Sequence, residues 1–81
     1  MAGSDRDTNM SAFPERLQRL REQQHKSRVV LSELCGLPPD AVRRYERGET
    51  VPRLDTFIAL ADYFGVSLDY LAGREKFTKN S

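Results

Sequence analysis

The chain has 81 residues, 31% of them charged, with a formal net charge of +1, one cysteine and no tryptophan. A domain of about 60 residues buries only about 60% of its unfolded surface, so a single small core and modest stability are expected. No apolar run is long enough to span a membrane, and Cys35, with His25 as its only companion, makes neither an internal disulfide nor a plausible metal site.

Residues 1–11, MAGSDRDTNMS, are small, polar and without period, and they lack the apolar core of a secretory signal. Disorder is expected there, with Met10 a candidate native start. A reducing, cytoplasmic location is expected too, with Cys35 as a small buried apolar residue. The first helix spans about 14–24, with Phe13, Leu17, Leu20 and Gln24 on one face and Arg16, Arg19 and Glu22 outward. Arg21 lies beside the apolar stripe, and a charge so close to a small core needs a partner. His25 follows, a residue type that tolerates the left-handed cap conformation better than most.

The stretch 27–48, SRVVLSELCGLPPDAVRRYERG, reads as two short helices around a tight turn. Ser27 is a good N-cap; Leu31, Leu34 and Cys35 have helical apolar spacing; Gly36 ends the helix and Leu37 tucks into the corner. The next helix runs about 39–46, with Pro39 at a first position that tolerates proline, and stops before Gly48. Neither helix is long enough to be stable alone, so both must pack on something else. Two short helices with a glycine-bearing turn form the helix-turn-helix pattern.

Gly48 to Arg53 is a loop, and Pro52 precedes a helix over about 54–64 expected to bury Leu54, Phe57, Ile58, Ala61 and Phe64. Gly65 closes it. Ser67 caps a last short helix through Ala72, with Leu60 and Leu71 assigned to the core. Tyr63 and Tyr70 exceed what so small a core needs. Residues 74–81 form a flexible polar tail carrying a solitary Phe77.

The second helix of the pair has two faces. Val42, Tyr45 and Glu46 cluster on one side; Asp40, Arg44 and Arg47 lie roughly opposite, with Arg43 on the flank. Such a helix suits a DNA major groove, where arginine can contact guanine O6 and N7 together. On an isolated helix a solvated face is the commoner account. Charge distribution bears on the choice: residues 15–53 hold nine Arg/Lys against six Asp/Glu, a balance of +3, whereas residues 54–73 hold three acids and no base. A phosphate-facing half and a half facing elsewhere would carry that asymmetry.

The segment RRYERGETVPRLDTFIALADYFGVSLDYLAG resembles the Cro/repressor, or XRE-type, helix-turn-helix family. It follows the family order of aromatic-Glu-x-Gly, a proline, a leucine-rich helix and a closing Gly-Val-Ser-Leu-Asp-Tyr-Leu. The resemblance covers about 13–73 and implies an all-α, five-helix, lambda-repressor-like DNA-binding domain over 12–73, found in prokaryotes and their phages and usually dimeric. It further implies an ion pair between Arg21 and Glu46, base reading by Pro39, Asp40, Arg43 and Arg44, and phosphate contacts from Ser27, Arg28, Arg47 and Arg53. In the family the last helices often supply the dimer contact, which nominates Tyr63, Tyr70 and Phe77.

Departures from the family pattern matter as much. His25 and Lys26 replace the usual glycine and apolar residue, and Arg28 stands where glutamine is common. Val29 and Val30 occupy a normally polar surface, either as tolerated exposed residues or as an apolar patch for a protein partner. Pro38 and Pro39 offer no side-chain hydrogen bond to a base. Asp40 either orients Arg44 for a guanine or neutralises it, as the i,i+4 spacing allows both.

No nucleophile–base pair, glycine-rich phosphate loop or cofactor motif is present, so no enzyme and no cofactor are expected. The expected function is a sequence-specific transcriptional regulator, a repressor that binds double-stranded DNA as a homodimer on an inverted repeat. The alternative is a protein-interaction module on the same scaffold, an antitoxin or anti-repressor subunit.

Overall fold

The computed structural model describes residues 12–74, and these form five helices with no strand among them. In chain order they are α1 (Phe13–Gln23), α2 (Arg28–Leu34), α3 (Ala41–Glu46), α4 (Leu54–Phe64) and α5 (Leu68–Ala72). The expectations for residues 1–11, for 75–81 and for Phe77 lie outside the described residues.

The helix starts follow from local chemistry. Ser27 Oγ accepts from Val30 N–H at 3.1 Å at the head of α2, and Ser67 Oγ accepts from Tyr70 N–H at 2.9 Å at the head of α5. The end of α1 turns through His25, whose φ of 57° is the left-handed conformation expected of it. His25 N–H donates to Glu22 O and Lys26 N–H to Arg21 O, which satisfies carbonyls that the helix end would otherwise leave free.

Phe13 sits at the centre of the core, its ring 5.6 Å from Phe57 edge-on and 6.0 Å from Tyr45. Leu17, Leu31, Val42, Leu60 and Leu71 close around it, all fully buried. Every helix thus contributes to one cluster, which holds helices of five to seven residues that could not persist alone. Arg16, expected to point outward, instead ties α1 to α5. Its Nη1 donates to the Tyr70 carbonyl at 2.9 Å, and its guanidinium lies 4.3 Å above the Tyr70 ring.

Three details of the sequence reading are corrected. α3 starts at Ala41, not Pro39, because Ala41 N–H donates to Pro38 O and Pro39–Asp40 form the turn between them. Proline suits the second position of a β-turn as well as it suits a helix start, and Asp40 has the φ −98°, ψ 7° of the third. Leu54 and Ile58 are exposed, by 69% and 38%, since α4 is apolar nearly all round and turns Phe57, Leu60 and Ala61 inward. Leu34 is exposed as well, because Ser32, not Leu34, faces α3.

Candidate nucleic-acid interface

The position of α3 is set by α2, and the link is Ser32. Its side chain is fully buried; Oγ donates to the Arg28 carbonyl at 2.9 Å and accepts from Val42 N–H at 3.0 Å. Val42 N–H lies in the first turn of α3, where it has no intrahelical acceptor. Asp40, at the N-cap position, makes no side-chain cap bond. A serine on the neighbouring helix therefore does the capping, which locks the two helices in register. Sequence reading missed this residue, although a small hydroxyl among apolar neighbours was the signal.

Viewed end on, α3 is divided. Val42 and Tyr45 are buried in the core and the Glu46 side chain is only 3% exposed. Arg43, Arg44 and Arg47 are exposed on the other side, with Pro39 and Asp40 exposed in the turn before them. Ser27 and Arg28, at the start of α2, are also exposed, as is Arg53 at the start of α4. A shallow groove of about 260 Å³ runs beside α3, lined by Pro38, Asp40, Arg44, Thr50, Val51 and Arg53 among others.

Behind the helix, Glu46 receives a bidentate clamp from Arg21: Nε donates at 2.6 Å and Nη2 at 3.1 Å. Arg21 Nη1 donates to the Lys26 carbonyl at 2.9 Å, and Arg28 Nη1 lies 3.9 Å from Glu46. The hydrogen bond from Arg21 to Glu46 raises the arginine pKa further above its ordinary value, against the desolvation that lowers it. The clamp joins α1 to the end of α3 and so fixes the angle at which α3 is presented. Burial pushes up both the Cys35 thiol and the Tyr45 phenol, leaving both neutral near pH 7.

Asp40 makes no ion pair with Arg44 among the described residues. The acid beside Arg44 is Glu49, with Oε1 3.8 Å from Arg44 Nε and Oε2 2.8 Å from Arg47 Nε. The i,i+4 pairing does not form because Asp40 is turn, not helix, and its carboxylate is not carried by the same rotation. Glu49 had no assigned role in the sequence, since it lies past the end of α3. Arg53 Nε lies 3.9 Å from Asp55, on two well-exposed side chains. Tyr63 and Tyr70 are half-buried, Tyr63 edge-on to Phe64 at 5.0 Å and Tyr70 under Arg16. No cluster of His, Cys, Asp and Glu among the described residues could hold a metal ion. No described helix is long and apolar enough to cross a membrane.

A helix-turn-helix family model matches residues 17–71, which takes in α2, α3, α4, all but the last residue of α5 and the C-terminal part of α1. The chain is 30% identical over 60 residues to the cryptic phage CTXphi transcriptional repressor RstR of Vibrio cholerae serotype O1, covering 74% of this chain and 54% of that protein. It is 36% identical over 62 residues to the HTH-type transcriptional regulator AnsR of Bacillus subtilis strain 168, covering 76% of this chain and 53% of that one. The chain therefore spans about half the length of the curated relatives it matches. No solved structure matches it significantly. With the buried face of α3, the serine stitch from α2 and the family match all coinciding on the same residues, the chain belongs to the helix-turn-helix family, of the XRE type.

Proposed function

We propose that this chain is a sequence-specific DNA-binding transcriptional regulator, a repressor, that lays α3 in the major groove of double-stranded DNA. The observation that carries the reading is the division of α3. Its inner side is anchored by Val42, Tyr45 and the clamped Glu46, while Arg43, Arg44 and Arg47 stand exposed opposite. Guanidinium groups on a helix held rigidly from behind match the donor requirement of guanine edges. Arg43, Arg44, Asp40 and Pro39 then meet base edges, Pro39 through apolar contact alone. Ser27, Arg28, Arg47 and Arg53 meet phosphate and position the helix without carrying sequence information. Both similar proteins are named as transcriptional regulators, which supports the same reading.

A homodimer on an inverted repeat follows from this role, with half-sites about 10 base pairs apart or a multiple of that. Tyr63, Tyr70 and Phe77 are the proposed contacts between copies, although Tyr63 and Tyr70 each also have a partner within the chain.

Salt titration of DNA binding tests the proposal. With about four to six phosphates neutralised per dimer, log affinity should fall with a slope near −4 to −5 against log salt concentration. Arg44→Ala should relax sequence preference, whereas Arg28→Ala should weaken binding to all sequences alike. A flat salt response, or identical effects of the two variants, overturns the assignment. One observation favours a second reading, a module whose main partner is a protein: Val29, Val30 and Leu34 are all exposed along α2. Co-purification with such a partner, and no retention on DNA at low salt, would select it.

A further inference from the structure

Two arginines of the proposed reading surface share one acid. Glu49 contacts Arg47 through one carboxylate oxygen at 2.8 Å and approaches Arg44 with the other at 3.8 Å. Its place is set by the backbone. Gly48 N–H donates to Tyr45 O at 3.1 Å and Glu49 N–H to Arg44 O at 3.0 Å, with Gly48 at φ 73°. These are the paired bonds that close a helix through a left-handed glycine. Glu49 is therefore the first residue beyond the cap, and its carboxylate reaches back over the last turn of α3. At 40% exposure it stays open to solvent.

We propose that Glu49 sets the selectivity of the DNA-reading surface by competing with phosphate for Arg44 and Arg47. The inference rests on the DNA-binding reading above. Non-specific binding is almost wholly phosphate electrostatics, so any phosphate that recruits these two arginines must first displace the carboxylate. A phosphate accepts a guanidinium from many directions, whereas a guanine edge requires one bidentate geometry. A carboxylate between the two side chains restricts the orientations open to Arg44. Removing it helps phosphate contact without helping base contact. Exposed ion pairs are individually weak, so the competition is graded and not a lock.

Glu49→Gln removes the charge and keeps the shape, while Glu49→Asp keeps the charge. Each variant and the wild type are titrated with a random-sequence duplex and with the duplex that the wild type enriches from a random pool, from about 50 to about 200 mM salt. Glu49→Gln should bind the random duplex about three- to tenfold more tightly, with a salt slope steeper by about one. It should gain less on the enriched duplex, where Arg47 alone is released to phosphate while Arg44 is held on a base, and Glu49→Asp should track the wild type on both. Unchanged binding of Glu49→Gln to the random duplex overturns the proposal, as does an equal gain on both duplexes. A loss confined to the enriched duplex overturns it too and makes Glu49 a direct reader, accepting from a cytosine amino group. Failure of the DNA-binding reading is visible separately, in a wild type that enriches no duplex; if Glu49→Gln then binds none either, both ideas fall.

Discussion

Replacing Arg21 by Met tests whether the Arg21–Glu46 clamp holds α3 in place. Removing one member of a buried ion pair costs about 3–5 kcal/mol, because the other is left uncompensated. The surroundings place each variant within that range. Without Glu46, Arg21 keeps the Lys26 carbonyl at 2.9 Å and Glu22 at 3.9 Å, so Glu46→Leu belongs at the lower end, about 3 kcal/mol. Without Arg21, the nearly buried Glu46 keeps, among the described residues, only Arg28 at 3.9 Å, beyond hydrogen-bonding reach. Arg21→Met therefore belongs at the upper end, about 4–5 kcal/mol. For a domain this small, each kcal/mol lowers Tm by about 4–8 °C, and total stability is itself about 5 kcal/mol or somewhat more. The double variant exchanges the pair for apolar contact and should recover most of the loss. Urea unfolding of the four proteins, followed by far-UV circular dichroism, gives the coupling directly. Single-variant losses below about 1 kcal/mol, or a double variant that loses the sum of the two, would refute the reasoning.

Other perturbations probe the same architecture. Ser32→Ala leaves the Val42 N–H buried without an acceptor and should cost about 1–3 kcal/mol in the same unfolding assay; a loss within the roughly 0.5 kcal/mol of an ordinary surface substitution would count against the stitch. His25→Gly relieves a side chain held at φ 57° and should raise the unfolding free energy by up to about 1 kcal/mol, and with it the midpoint, despite the entropy glycine loses on folding. A drop in the midpoint would show that the histidine makes a compensating contact. Burial raises the Cys35 thiol above its ordinary 9.0 and the Tyr45 phenol above its ordinary 10.0, so both ionise first in the unfolded chain. The stability they contribute is complete below about pH 9 and is lost as pH climbs through the raised folded values. Unfolding midpoints measured upward from about pH 8 should therefore fall, and Cys35→Ala should remove the earlier part of the fall. A profile indifferent to Cys35→Ala would overturn that assignment.

The order and type of all five helices were legible because cap, turn and spacing signals coincided at most boundaries, the start of α3 being the exception. Ser27 and Ser67 cap where capping chemistry expects them, and His25 takes the left-handed turn its residue type tolerates. The inner face of α3 was legible too, since Val42, Tyr45 and Glu46 recur at helical spacing and are all turned inward. α4 was less so. Its apolar residues extend beyond one face, so spacing placed Leu54 and Ile58 inward, whereas packing in the shared core turns Phe57, Leu60 and Ala61 inward and leaves those two exposed.

Local patterns thus determined what depends on neighbours a few residues apart: helix caps, the glycine-closed turn after α3, and arginines standing opposite an apolar stripe. Tertiary structure alone decided what depends on residues far apart in the chain. Ser32 caps a helix it does not belong to, and Arg16 reaches across to Tyr70. The reason is geometric. A hydrogen bond or ion pair forms only within a few ångströms, and periodicity carries no information about which distant side chains packing brings to that range.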